Sequence, residues 1–500
     1  MTGHDERQVD EGPPRTGIQG LDDVLNGGLA RNRSFLLEGS PGTGKTTIAL
    51  QFLLAGAAAG ERGLYVTMSE TENELRASAA SHGWKLDDIE IYELAPPETL
   101  LSEDQQQSLL YSSDLELGET TKRIFEAFDR LKPHRIAIDS LSEIRLLAQS
   151  SLRYRRQILA MKHFFAQRGA TVLLLDDLTA ELADRSVHSV AHGVIRLEEL
   201  APEYGSDRRR LRVIKFRGSR FRGGYHDFVI RTGGIHVFPR LVSAEHRRKV
   251  KRDLIRSNNP ELNQLLGGGV ERGSSVLILG PAGAGKSIMA LTFAVSAVER
   301  GERVALFIFD EEIGLLIDRA LGLGIDLEAM RASGHLSLAQ IDAAELTPGE
   351  FSSRVRESLE KFGAQTVVID SLTGYQASMP EERALILHMH ELLQFCNRSG
   401  ATTFLTVAQH GLIGEMRAPI DLTYLADTVI LLRYFEAAGE VRRAVSVVKK
   451  RTSAHEHTIR EYRIDSEGIS LGEPLKDFHG VLRGVPEIVG GHPRARGRTR

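Results

Sequence analysis

Short, wholly apolar runs recur along the chain between glycine-rich or polar turns: SFLLEG, LYVTM, IAID and TVLLLD in the first half, SVLILG, VALFIF, TVVID and TTFLTV in the second. Runs of this length without alternation predict strands buried on both faces. Longer stretches with helical spacing lie between them, including TTIALQFLLAGAAAG, SLRYRRQILAMKHFFAQRG and SIMALTFAVSAVERG. Apolar strands alternating with helices predict an α/β architecture, a mostly parallel sheet flanked by helices. No apolar run approaches the roughly 20 residues that span a bilayer, so no membrane segment is expected.

The pattern occurs twice. GSPGTGKT at 39–46 returns as GPAGAGKS at 280–287, and each is preceded by a glycine pair, in GLDDVLNGGLARNRSFLLEG and ELNQLLGGGVERGSSVLILG. Gly28 thus matches Gly269, and Lys45 matches Lys286. Downstream, RIAIDSLSEI around Asp139 answers TVVIDSLTGY around Asp370, and VIKFRGS answers VVKKRTS. The register slips before the aspartates, which implies a loop deletion in the second copy. Duplication predicts a leader over residues 1–14, a first domain over 15–246, a basic linker over 247–257, a second domain over 258–472 and a tail over 473–500. The tail is Gly/Pro-rich and ends on Arg494, Arg496, Arg498 and Arg500, as a solvated or docking terminus does.

Composition narrows the class. The 500 residues exceed one ordinary core, and 41% hydrophobic with 26% charged residues describes a globular chain. A net charge of −4 supplies no global attraction to nucleic acid or acidic membranes. The N-terminus MTGHDERQVDEGPPR has no apolar core of a secretory signal, and the single Cys396 leaves no disulfide to form within the chain. A cytoplasmic location is expected.

The octapeptides carry the chemistry. Glycines let such a loop curl with its N–H groups toward phosphate oxygens, and the following helix N-terminus adds partial positive charge. Gly42, Thr43, Gly44, Lys45, Thr46 and Thr47, and Gly283, Ala284, Gly285, Lys286, Ser287 and Ile288, are therefore predicted to bind ATP. Lys45 and Lys286 would bridge the β- and γ-phosphates, and the Thr46 and Ser287 hydroxyls would ligate Mg²⁺. Asp139 and Asp370 close apolar strands as acids that orient the metal. A carboxylate for the nucleophile is expected where the strand after the phosphate-loop helix ends, which gives Glu70 in VTMSETE and Asp310 and Glu311 in FIFDEEI. Asp310 is also a candidate metal ligand. The recurring pairs Lys215 with Arg217 and Lys449 with Arg451 are predicted to be phosphate-facing cations. Together these features describe two tandem RecA-like P-loop NTPase domains.

The chain resembles the KaiC-like family on these motifs and on SHGW at 81–84, KFRG, GGIHVFPRL and ADTVILLRYFEAAGEVRRAVSVVKKR. The resemblance implies a two-tiered homohexamer with ATP between neighbouring subunits. It places Lys215, Phe216, Arg217 and Ser219, and Lys449, Lys450 and Arg451, against nucleotide held by an adjacent phosphate loop, and it adds Ser81 to the first site. The family's catalytic Glu-Glu pair falls on Ser69-Glu70 and on Asp310-Glu311, so the first copy lacks one acid. Its autophosphorylated pair falls on Thr423-Tyr424, which makes Thr423 the candidate phosphoacceptor. Expected partners are further copies of the chain and a regulatory protein at the C-terminal tail. The resemblance makes the chain an ATP-hydrolysing, nucleotide-driven signalling or clock-like regulator, with serine/threonine autokinase activity in the second domain. The alternative is a RecA/RadA-like or DnaB-like ATPase that acts on nucleic acid. That reading needs basic loops with stacking aromatics, whereas SLRYRRQ at 151–157, basic with one tyrosine, has the spacing of a helix face.

Overall fold

The computed structural model describes residues 12–94, 109–178, 186–202, 205–243, 253–376, 379, 381–409, 423–437, 439–466, 468–483 and 487–488. Residues 1–11 of the expected leader, 244–246 at the end of the expected first domain, 247–252 of the expected linker and the four tail arginines lie outside these. The chain forms two compact units, Met1–Arg240 and Leu241–Arg500.

In the first unit the strands are β1 (Ser34–Gly39), β2 (Gly63–Thr67), β3 (Ile89–Glu93), β4 (Arg135–Asp139), β5 (Thr171–Asp177), β6 (Gly193–Leu200), β7 (Arg208–Phe216), β8 (His226–Arg231) and β9 (Gly234–Phe238). They form one sheet in the order β3-β2-β4-β5-β1-β6-β7-β8-β9. The first six are parallel, and β7, β8 and β9 extend the sheet antiparallel. Successive β1 side chains enter opposite faces, as strand geometry requires. Phe35 and Leu37 pack with the helix Lys45–Ala58, and Leu36 packs with the helices Leu109–Leu131, Leu141–Ala148 and Ser151–Gln167.

The second unit opens with a two-stranded sheet, β10 (Leu254–Ile255) and β11 (Val270–Glu271). Its large sheet contains β12 (Ser275–Gly280), β13 (Val304–Ile308), β14 (Leu336–Gln340), β15 (Thr366–Asp370), β16 (Thr402–Ala408), β17 (Thr428–Ala437), β18 (Glu440–Lys450), β19 (Arg460–Asp465) and β20 (Gly468–Pro474). The order, β14-β13-β15-β16-β12-β17-β18-β19-β20, repeats that of the first sheet. Two mostly parallel sheets flanked by helices are the tandem RecA-like architecture.

Several details differ from the expectations. Leu241 joins the second unit's core and Ser243 N donates to Glu391 Oε2 at 3.2 Å, so the chain enters the second unit before residue 247. Residues 254–255, within the expected linker, are paired as β10, because Ile255 has a core to bury into. The tail is folded at its start, where Val481 packs with Phe435, Ala437 and Ala444. The register slip is not a simple loop deletion. The second copy gains a helix, Leu327–Ala332, before β14, and then the 23-residue helix Leu109–Leu131 is answered by the 13-residue Pro348–Glu360.

The glycine pairs mark close backbone approaches. A Cβ on Gly28, at φ +133°, would press on the Pro14 carbonyl, and one on Gly269, at φ +135°, on that of Ile255. Their recurrence therefore serves the fold.

His226, on β8, is fully buried, with Nε2 bonded to Arg222 O at 2.9 Å and Nδ1 accepting from Arg240 N at 2.8 Å. Burial pushes its pKa down to about 4. The unfolded chain takes up this proton near pH 6.5 and the folded unit only near 4, so stability falls as pH drops through that window. We expect the first unit to lose roughly 2 kcal/mol between pH 7.5 and 5 from this residue, and His226→Gln to flatten the dependence. Urea unfolding followed at Trp84, the only tryptophan, measures it.

Candidate functional site

Each phosphate loop joins a buried central strand to a helix. β1 ends at Gly39 and the helix starts at Lys45; β12 ends at Gly280 and its helix, Lys286–Glu299, starts at Lys286. Gly42 and Gly44 have φ of +83° and +95°, and Gly283 and Gly285 of +75° and +92°. A Cβ on Gly44 would also stand 2.8 Å from Ile230 Cδ1, so glycine is required there on two counts. Thr43 Oγ1 donates to Ser40 O at 2.8 Å, closing the first loop, and Tyr462 OH donates to Ala284 O in the second. Thr47 is buried and Ile288 packs on the core, so the backbone N–H is what each offers a ligand.

In the first site Lys45 Nζ donates to Gly39 O and Ser40 O, each at 2.9 Å, and pairs with Asp177 Oδ1 at 2.7 Å. Thr46 Oγ1 donates to Asp139 Oδ2 at 3.2 Å, and Tyr65 OH donates to the same oxygen at 2.5 Å. Burial pushes the Asp139 carboxyl above the usual range, against those two hydrogen bonds. Burial holds the Tyr65 phenol protonated, well above its ordinary value, so it remains a donor. Glu70 is also raised, first by burial and then by the charges of Asp139, Glu74 and Asp177. The arrangement is an ammonium, a hydroxyl and three acids at the C-terminal ends of β2, β4 and β5. Among the described residues no cluster of three or more His, Cys, Asp or Glu could hold a metal by itself. The Thr46 and Asp139 oxygens therefore fit an Mg²⁺ ion that takes most of its ligands from phosphate and water.

In the second site Lys286 Nζ donates to Pro281 O at 2.9 Å, and burial lowers its pKa against the opposing pull of Asp370 and Asp310. Asp370 Oδ1 accepts from Thr406 Oγ1, and Asp310 Oδ2 from Ser371 Oγ. Ser287 follows the lysine as Thr46 does. Glu311 pairs with Arg319 at 2.8 Å, and Glu312 caps the helix Ile313–Leu321 by accepting from Leu315 N at 3.1 Å. Thr67 pairs with Asp139 and Ile308 with Asp370, so Glu70 and Glu311 follow at equal heights, as the sequence match requires.

The Lys-x-Arg pairs stand elsewhere. Lys215 is level with Val194, and Val194 with Leu36, so Lys215 lies at the end of the sheet opposite Gly39 and the phosphate loop. Lys449 is level with Val429 and Leu277, the same height in the second sheet. Three residues of strand, about 10 Å, separate each pair from its own loop strand's end, with β6 or β17 between. Lys215 Nζ donates to Ala191 O at 2.7 Å and Arg217 to Ser189 O at 2.8 Å, while burial and the charges of Arg217 and Lys162 lower the Lys215 pKa. Lys449 Nζ donates to Thr423 O at 2.6 Å, and Arg451 donates to Tyr424 O.

Other expected ligands sit differently. Phe216 is buried, its ring 5.5 Å from Phe35. The Lys450 side chain is 0% exposed and bonds Leu266 O and Gly269 O at 2.6 and 2.7 Å, so it is not available to phosphate. Ser219 is exposed in the turn after β7, and Ser81 ends the helix Glu72–Ser81, its hydroxyl bonded to Ser78 O at 2.7 Å. Tyr154, the aromatic of the basic run, is fully buried beside Arg145 and cannot stack on a base.

Tyr65 and Asp177 were not singled out from sequence. Tyr65→Phe removes a hydrogen bond to a buried carboxylate, so Mg²⁺-dependent nucleotide binding at the first site is expected to weaken about tenfold. Titration of a fluorescent nucleotide with and without Mg²⁺, in a Lys286→Ala background, checks it.

Comparison with known proteins agrees with this geometry. The family profile described as "ATPase: KaiC" matches residues 14–242 and 255–476. The circadian clock protein KaiC3 of Synechocystis sp. is 30% identical over 481 residues, covering 94% of each chain. The circadian clock oscillator protein KaiC of Acaryochloris marina is 27% identical over 496 residues, covering 97% of this chain and 93% of its own. KaiC2 of Synechocystis sp. is 29% identical over 487 residues, covering 95% and 84%. With both sheets, both phosphate loops and both cation pairs accounted for by one duplicated unit, the chain belongs to the KaiC ATPase family.

Proposed function

We propose that the chain hydrolyses ATP at sites completed between neighbouring copies in a homohexamer, and that its second domain phosphorylates Thr423. The carrying observation is that each Lys-x-Arg pair lies at the opposite end of its sheet from the phosphate loop, in both copies. A loop from one subunit and a cation pair from the next together make one site, with the γ-phosphoryl between them.

Roles follow from the positions. Lys45 and Lys286 hold the phosphates, Thr46 with Asp139 and Ser287 with Asp370 hold Mg²⁺, and Lys215, Arg217, Lys449 and Arg451 neutralise charge on the transferring group. MgATP supplies the activated phosphoryl. Glu70 orients water in the first site, with Ser69 beside it in place of a second acid. Asp310 and Glu311 give the second site two carboxylates. Thr423 supports the kinase reading by its place: its carbonyl accepts from Lys449 and that of Tyr424 from Arg451, so the segment is bound by the cations that would face a neighbour's γ-phosphate. The tail that would meet a regulatory protein lies largely outside the described residues. A cytoplasmic setting and a nucleotide-driven signalling or clock-like output complete the reading.

Complementation tests it. Lys286→Ala and Arg451→Ala are each expected to lower phosphate on Thr423 about tenfold or more, as loss of a transition-state cation does. Mixing the two variants should restore part of it, on the Thr423 of the Lys286→Ala chain, read by mass spectrometry with one chain isotopically labelled. No recovery on mixing, or phosphate only at other residues, would refute the shared-site kinase. Steady-state hydrolysis of Lys45→Ala and Lys286→Ala reports the two sites separately, and each is expected to retain only the other site's turnover.

A further inference from the structure

The two sites also differ in the residue that the strand beside the phosphate loop brings to the lysine. Gly39, which opens the first phosphate loop, pairs in register with Asp177, whereas Gly280 pairs with Ala408. The first lysine therefore has an acid beside it from the adjoining strand, and the second does not. The Asp177 carboxylate is held on two sides: Oδ1 is 2.7 Å from Lys45 Nζ, and Oδ2 accepts from Ser142 Oγ at 3.5 Å, while the backbone N–H donates to the same hydroxyl oxygen at 3.3 Å. The Lys45 ammonium is 7% exposed, and its other bonds go to loop carbonyls. Lys286 keeps the matching loop bond, to Pro281 O where Lys45 has Ser40 O, but the residue in register with Asp177 is Ala408.

We propose that Asp177 sets the nucleotide preference of the first site, competing with a γ-phosphate for Lys45 and so favouring a nucleoside diphosphate over a triphosphate more than the second site does. The inference rests on the reading that the 39–46 loop holds a nucleotide polyphosphate. A diphosphate is held by the loop N–H groups and the helix N-terminus. A γ-phosphate must take over the ammonium while approaching Asp177, Asp139 and Glu70, and repulsion between like charges rises steeply at these separations. The second site has Ala408 at this register, with Asp370 and Asp310 as the acids that act on Lys286, so no carboxylate of the adjoining strand competes there for the ammonium, and the first site is the one expected to hold its product.

The test uses the full chain. In a Lys286→Ala background, which leaves the first loop as the reporter, ATP and ADP each displace a fluorescent ADP analogue from the Asp177 and Asp177→Asn forms. Removing one negative charge at this range is expected to tighten ATP about tenfold, and ADP less than about threefold. The reverse change, Ala408→Asp in a Lys45→Ala background, should weaken ATP relative to ADP at the second site. An unchanged ATP-to-ADP ratio in Asp177→Asn overturns the proposal. So does weaker ATP binding, which would make Asp177 a ligand for metal or water. If neither form binds either nucleotide, the nucleotide reading of the first loop falls, and this inference with it.

Discussion

A parallel sheet has a direction, and both halves of this chain are organised by it. All six parallel strands of each sheet deliver their C-terminal ends to one edge, where the phosphate loop, the metal-orienting acid and the carboxylate after β2 or β13 gather. The antiparallel β7 and β18 run the other way and bring their Lys-x-Arg ends to the opposite edge. Backbone pairing thus holds complementary halves of a phosphate site apart within one domain. Rotamer changes do not close a gap set by three residues of paired strand. Under the proposed shared site, association of copies does.

Much of this was legible in the sequence because it depends on local rules. Phosphate loops announce themselves through glycines at positive φ before a lysine, and strand-ending aspartates through apolar runs of strand length. The residues between the cations also follow a rule. Strand side chains alternate between faces, so in Lys-x-Arg the outer residues share a face and the middle one takes the other. Phe216 and Lys450 are those middle residues, and each is buried on its own domain. The period of two separates their side chains from those of the cation pair, which leaves the backbone as what they could offer a ligand. The purpose of the cation pairs could not be read this way, because their distance from the loop depends on which strands are neighbours.

Tyr65 and Asp177 show a different limit. Both lie in runs whose apolar character identified the strand and drew attention from its polar members. Their signal was the difference between copies: Tyr65 in GLYVT where the second copy has VALFI, and Asp177 where it has Ala408. Repeats are informative where they agree about the fold, and more so about chemistry where they part. The structure converts that comparison into geometry, since register says which residues occupy equal heights.

The differences concentrate at the γ-phosphate end, which is where asymmetry has consequences. A P-loop NTPase holds the α- and β-phosphates with backbone N–H groups, which substitution of side chains leaves in place. It discriminates and reacts at the γ-phosphate through side chains, which can diverge while the fold persists. Both lysines bond loop carbonyls, but the first site has Ser69 in place of an acid and adds Asp177 to its lysine, whereas the second keeps Asp310 and Glu311 and has Ala408 in register with Asp177. One duplicated fold can therefore carry a site inclined to hold its product and a site inclined to use its substrate.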